Sequence, residues 1–325
     1  MTTSRSVAIT YVAADCGSVI PGKSKAPQAF QDAGIAKKLR DAGMPIVSEL
    51  DALDSPARYS VKPFSKGSVR NEELNISVCQ SVRRVVSHNI TASSSDQSPF
   101  QLILGGECCM CPAILSSFWE HAASQSPPKR VGLIYIDADT DLASPHDRNS
   151  TGNFAGMNMT HLIGRENGLE SMRQFSRPSG EAVCDPSNMV LFGINMGFAG
   201  NKPEHFAYLF DNEYTVLSSE SVALSPEKCA RRALKRLEEN TDIIMVHFDV
   251  DSIDPRLFPL ANVPNFTGVT FEQMMAALRV FLASDKVAGL TIAEVNPGHD
   301  PDLSMVNRLS EEVVQMLSSR RSASP

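Results

Sequence analysis

Apolar residues along this chain collect into short continuous runs separated by polar, turn-forming stretches. The runs are Val7–Ala14, Gln101–Leu104, Arg130–Ile136, Met189–Ile194, Ile243–Phe248 and Val287–Ala293. Most do not alternate, as expected of strands buried on both faces. Between them Ala26–Ala42, Asn71–His88, Pro112–Ala123, Ser225–Glu239 and Phe271–Ala283 carry helical spacing. Ser225 is placed to act as an N-cap, with Pro226 in the first turn. Strands alternating with helices predict an α/β fold, a three-layer αβα arrangement around a mainly parallel twisted sheet. The segments Thr91–Ser98, Ser144–Asn153 and Pro255–Gly268 read as loops. With no internal repeat and no linker, residues 1–316 are expected to form one domain and 317–325 a disordered tail.

Composition narrows the function classes. The chain has 325 residues, 42% of them hydrophobic, enough for a large core. Its formal net charge of -7 argues against nucleic acid or an anionic membrane as partner and leaves a small molecule. No apolar run reaches the length of a membrane span. The N-terminal apolar stretch is short and broken by Thr10 and Asp15, so it reads as a first strand rather than a signal peptide. Seven cysteines, three of them at Cys108, Cys109 and Cys111, do not make a secreted disulfide framework and suggest a reducing, cytoplasmic setting.

The unusual polar residues follow the strands. After Gln101–Leu104 comes Gly105-Gly106-Glu107-Cys108, and after Arg130–Ile136 comes Asp137-Ala138-Asp139-Thr140-Asp141. After Ile243–Phe248 comes Asp249-Val250-Asp251, and after Val287–Ala293 comes Glu294-Val295-Asn296-Pro297. In a parallel sheet these ends share one edge, where such folds hold ligands. Each close pair of carboxylates there costs on the order of 4 kcal/mol at an effective dielectric of about 20. A DxDxD alone is commonly a solvated turn, and a DVDxxDP alone a strand-end cap. Together they point to a divalent cation, because hard aspartate oxygens suit such ions. The alternatives are that some of these acids are protonated or, since no Lys or Arg lies inside the motifs, that a basic side chain arrives from elsewhere in the chain.

Taken in order, GG-acid, DAxxD, DVDxxDP and EVNP resemble the ureohydrolase superfamily of arginases, agmatinases and formiminoglutamases. Gly22–Phe30 resembles its opening loop and first helix, and Leu260–Gly268 its substrate loop. The resemblance implies an arginase-like fold, a homo-oligomer (trimer or hexamer), and two Mn²⁺ ions held by four Asp and two His. Asp137, Asp141, Asp249 and Asp251 match the four Asp positions. Cys108 and Asp139 stand where the family has its two histidines, so the implied metal set is Cys108, Asp137, Asp139, Asp141, Asp249 and Asp251. Ala155 replaces the family's proton-shuttle histidine, and Ala143 an asparagine that in arginases holds the amino-acid end of the substrate. Glu294, which in the family pairs with a guanidinium, is retained.

These substitutions add negative charge around the metal, making it a weaker Lewis acid, and a thiolate shifts preference toward Zn²⁺ or Fe²⁺. Cys108 and Cys111 also form a CxxC before a helix, so a redox role stands beside the reading of Cys109 and Cys111 as small buried hydrophobes. His299, His146 and His161 are candidates to replace the lost proton carrier, whereas His247 reads as a core residue with its hydrogen bonds satisfied. The catalytic residues expected are Asp141, Glu294 and His299. Three functions remain open: a divergent metal-dependent hydrolase of a C–N bond in a guanidino, amidine or amide compound other than L-arginine; a catalytically silent or regulatory member; and a non-hydrolytic metal enzyme of a specialised pathway.

Overall fold

Eight strands form one sheet: β1 Val7–Tyr11, β2 Ile46–Asp51, β3 Phe100–Leu104, β4 Val131–Ile136, β5 Met189–Ile194, β6 Thr215–Ser218, β7 Ile243–Asp249 and β8 Val287–Ala293. Their order is β2-β1-β3-β8-β7-β4-β5-β6, and every neighbouring pair is parallel. The structure, a computed structural model, describes residues 5–61, 63–92 and 98–319.

Alternation along the strands creates the layers. Leu102, Leu104, Ile134 and Ile136 point to one face and pack on the helices Ala26–Asp32, Ile35–Asp41, Pro226–Glu238, Phe271–Ala283 and Ser304–Ser319. Ile103, Leu133 and Tyr135 point to the other face, against Glu72–Ile90 and Cys111–Ala123. Both faces of the central strands are therefore apolar, which is why those strands read as continuous runs.

The six runs read from sequence are all strands, although the first ends at Tyr11 rather than Ala14. The two strands without such a run, β2 and β6, are the edges of the sheet. β2 alternates half-buried with exposed residues before ending fully exposed, so it never presents an apolar run. The helical pattern Ala26–Ala42 is two helices, broken where Gly34 takes a left-handed φ of 70°. Ser225 sits at the N-cap of Pro226–Glu238, but its side chain makes no capping bond. Thr270 caps Phe271–Ala283 with a full capping box to Gln273. The last helix runs to Ser319 because Val313, Met316 and Leu317 pack into the core, while 320–325 lie outside the described residues. The loop expected at Thr91–Ser98 falls largely on 93–97, also outside them. Among the described residues no helix is long and apolar enough to cross a membrane.

His247 on β7 is a core residue, as its strand position suggested, but its hydrogen bonds are not satisfied as expected. It is fully buried, stacks on Tyr135 at 5.2 Å with 7° between the planes, and leaves both ring nitrogens without a hydrogen-bond partner. Burial lowers its pKa to about 3, so the folded imidazole stays neutral while the unfolded one takes a proton below its ordinary value of 6.5. Stability therefore falls as pH drops below 6.5 and levels off only near pH 3. Between pH 7 and pH 5 this one residue is expected to remove about 2 kcal/mol. Urea titrations of His247→Phe should show a shallower acid slope than the parent; an unchanged slope would refute the assignment.

Candidate metal centre

The four chemical motifs leave four adjacent strands: β3, β8, β7 and β4. The ladder sets their height. Leu104 and Phe248 both pair with Ile292, Ile136 pairs with Phe248, and Asp249 pairs with Ala293. Asp137 and Asp249 consequently emerge level with Ala293, with Glu294 the next residue after β8 and Glu107 beyond the Gly105-Gly106 turn. After β3 the chain must turn sharply, and Gly105 (φ 91°) and Gly106 (φ 78°) do so. A Cβ on Gly105 would lie 2.8 Å from the Pro27 ring and 2.9 Å from the Val12 carbonyl. After β4 and β8, Asp141 (φ 47°) and Glu294 (φ 64°) accept the left-handed region without being glycine. Such strain is common where a site dictates the backbone.

All six expected metal ligands line one crevice, together with Ser18, Lys23 and Glu294. Ligand atoms of Cys108, Asp137 and Asp141 lie within 4.8 Å of one another, as do those of Asp137, Asp139 and Asp251. These two sets share Asp137. A third set joins Cys108 to Asp249 and Glu294. Cys108 Sγ donates to Asp249 Oδ2 at 2.8 Å.

Neutral donors orient the carboxylates. Tyr135 Oη donates to Asp141 Oδ2 at 2.6 Å and accepts from Asn158 Nδ2 at 3.0 Å. Asn265 Nδ2 reaches Asp251 Oδ2 at 3.1 Å and Asp139 Oδ2 at 3.4 Å. Backbone N–H groups of Asp139 and Asp251 bond back to Asp137 Oδ1 at 2.6 Å and Asp249 Oδ1 at 2.8 Å. None of these donors carries charge, and among the described residues no Lys or Arg pairs with any of the five aspartates. The electrostatics follow. Burial, then the neighbouring carboxylates, push Asp137 and Asp249 well above the ordinary range. Burial and Asp139 raise Asp251 to about 8. The donor set thus fits a divalent cation: clustered, buried, oxygen-rich and short of positive charge.

One basic side chain does fold in. Lys23 is 1% exposed, and its Nζ sits 2.9 Å from Glu294 Oε2 and 3.0 Å from Glu107 Oε1. Its third partner is Ser18 Oγ. Glu294 Oε1 accepts from Cys108 N at 3.1 Å. Lys23 places its one positive charge between the two glutamates and leaves the aspartates without a basic partner among the described residues. Its loop is anchored by Asp15 just beyond β1, which accepts from Gly22 N (2.9 Å), Ser24 N (3.3 Å), Ser24 Oγ (2.7 Å) and Tyr59 N (3.1 Å).

The histidines do not join the centre. His299 is exposed beside Asn296 and is not among the residues lining the crevice, and neither are His146 and His161. His146 is exposed, and burial lowers His161 to about 4 while its Nε2 accepts from Leu169 N. Cys108, Cys109 and Cys111 are all buried, and burial pushes their thiols well above the ordinary range. Lys23, Tyr135 and Asn265 escaped the sequence reading. Tyr135 lies inside an apolar strand, and Lys23 and Asn265 come from loops distant in sequence.

A family model described as the arginase family matches residues 5–318. The chain belongs to the arginase family. An arginase of Staphylococcus aureus is 25% identical over 319 residues, covering 98% of this chain and 97% of that one. A formimidoylglutamase of Rhodococcus opacus is 25% identical over 214 residues, 66% of this chain and 60% of its own length. Among solved structures, arginase from Bacillus caldovelox superposes with a TM-score of 0.80 at 20% identity, covering 98% of this chain and 99% of that one. Proclavaminate amidino hydrolase from Streptomyces clavuligerus gives 0.68 at 18% identity, covering 99% and 93%. The eight-stranded parallel sheet is accordingly the arginase-family fold, carrying candidate ligand groups that include a cysteine.

Asp15 generates a test of this architecture. Asp15→Ala removes four hydrogen bonds and is expected to destabilise the protein by about 2–4 kcal/mol. Asp15→Asn, which keeps an acceptor, should cost less. Equal urea midpoints for both variants and the parent would show that Asp15 does not hold the Lys23 loop.

Proposed function

We propose that this arginase-family protein is a metal-dependent hydrolase of a non-peptide C–N bond in a guanidino, amidine or amide compound other than L-arginine. The observation that carries the reading is the pair of buried donor sets sharing Asp137, held by neutral groups and lacking a compensating charge. Cys108, Asp137, Asp141 and Asp249 would hold one ion; Asp137, Asp139, Asp249 and Asp251 would hold a second. Mn²⁺ suits the oxygen donors, and the Cys108 sulfur admits Zn²⁺ or Fe²⁺. Bound ions would supply Lewis acidity at the scissile carbon and lower the pKa of attacking water.

The protein's own groups do the rest. Asn265 holds Asp139 and Asp251 in register with each other. Tyr135 engages Asp141 Oδ2, leaving Oδ1 for an ion or a proton. Glu294 is fixed from both sides by Cys108 N–H and Lys23. Val19, Ile20 and Val263 offer exposed apolar surface at the crevice wall. Ala143 and Ala155, where the family pattern has polar groups, support a substrate other than L-arginine.

One observation favours a second reading, a catalytically silent member: no histidine lines the crevice, so no imidazole is in place to carry protons there. Metal and product decide between them. Chelator-treated protein is expected to gain roughly 2.7 kcal/mol of stability at a hundredfold excess of Mn²⁺ over its Kd. Asp249→Asn should lose most bound metal by elemental analysis, and the metal-loaded parent should release ammonia or urea from a C–N substrate panel. Equal metal in parent and variant would refute the centre. A loaded protein that turns over nothing in the panel would favour the silent reading.

A further inference from the structure

The crevice has three kinds of wall. Its floor is the aspartate cluster with Cys108; one side is Glu294 with Lys23; the rest is Val19, Ile20, Val263 and small or amide side chains. Each wall restricts what can enter. A cationic head group would need a carboxylate, but the aspartates are committed to the metal sets and Glu294 is held by Lys23 and Cys108 N–H. To release Glu294, Lys23 must give up one of its two buried carboxylate partners and keep only Glu107 and Ser18. An anionic head group would need a cation, and among the described residues Lys23 is the one Lys or Arg lining the crevice. Its three N–H directions are spent on Glu107, Glu294 and Ser18. Neither charge finds a free partner.

What remains open is neutral. Asn153 lines the crevice with its side-chain oxygen buried and without a hydrogen-bond partner. Val19, Ile20 and Val263 present exposed apolar surface there. An N–H donor on an apolar body satisfies both.

We propose that Lys23 closes the crevice to charged head groups, so that the site takes a neutral amide- or ureide-type compound carrying an apolar substituent. This rests on the hydrolase reading and narrows it to its uncharged arm. Lys23 is a specificity-determining residue here, acting by occupying Glu294 rather than by touching the reacting atoms.

The test uses full-length, Mn²⁺-loaded protein and calorimetric titration with three probes of matched shape: hexylurea, hexylguanidine and hexanoate. Hexylurea is expected to bind on the order of 100-fold more tightly than either ion, because a charged head must break or oppose a buried pair. Lys23→Met vacates Glu107 and Glu294; hexylguanidine should then gain at least about tenfold in affinity and raise the variant's Tm, an effect that mere loosening of the fold would not confer on one probe. If Lys23→Met does not fold, the parent's ranking alone decides. Hexylguanidine binding the parent as tightly as hexylurea, or hexylurea failing to bind it at all, would overturn the proposal. Elemental analysis of the same samples separates the two claims: absent metal defeats the hydrolase reading, whereas loaded protein that prefers the guanidine defeats only this one.

Discussion

The arrangement depends on like charges forced together by a hydrogen-bond ladder. Parallel pairing brings the tips of β3, β8, β7 and β4 to one height, with Ile136 opposite Phe248 and Asp249 opposite Ala293. The side chains that follow cannot separate without breaking register, and a one-residue slip would turn every apolar residue of a strand to the wrong face. Core packing on both sides of the sheet therefore enforces repulsion among Asp137, Asp141, Asp249 and Asp251. Hydrophobic burial is large enough to sustain that frustration, and the remedy has to be local.

The remedy is divided along the crevice. On the β3 and β8 side, Lys23 supplies an internal positive charge to Glu107 and Glu294. On the β4 and β7 side, Tyr135, Asn265 and backbone N–H groups supply direction without charge. Hydrogen bonds from neutral donors ease a carboxylate, yet burial and neighbouring anions still leave Asp137 and Asp249 raised far above their ordinary range. Where the internal cation ends, the clustered carboxylates have no basic partner among the described residues. The boundary runs through Cys108, whose backbone N–H serves Glu294 and whose thiol serves Asp249.

How much of this the sequence discloses follows from what each residue must satisfy. Central strands are buried on both faces, so β4 and β7 announce themselves as unbroken apolar runs, and the acids at their tips stand out against them. Edge strands β2 and β6 have no such requirement and stayed hidden. The break at Gly34 looked like continuous helix because apolar spacing persists across it and only the backbone changes hand. Lys23 was in plain view within the GKSKAP stretch, but its sequence distance from Glu294 conceals the pairing; an ion pair between loops leaves no periodic trace. Asn265 is hidden in the same way, because nothing local distinguishes it from an ordinary loop amide. His299 had the opposite failing: adjacency in sequence to the β8 motif suggested a place in the crevice, and the turn after Pro297 leaves it exposed instead.

The contrast between sheet and tips also explains why fold and chemistry can part company here. The sheet asks for apolar residues of suitable size at buried positions, a demand many sequences meet, so a TM-score of 0.80 coexists with 20% identity. The tips ask for particular groups at particular heights. By the resemblance of the motifs, four aspartates match the family's positions and Cys108, Asp139 and Ala155 depart from them, and the opening loop contributes a buried lysine. A side chain at a strand tip can change without disturbing the layers beneath it, because the ladder below is complete before the tip begins. Lys23 shows how far that freedom extends: one long side chain, anchored through Asp15, reaches Glu294 and alters what the crevice can accept while the parallel sheet remains that of the family.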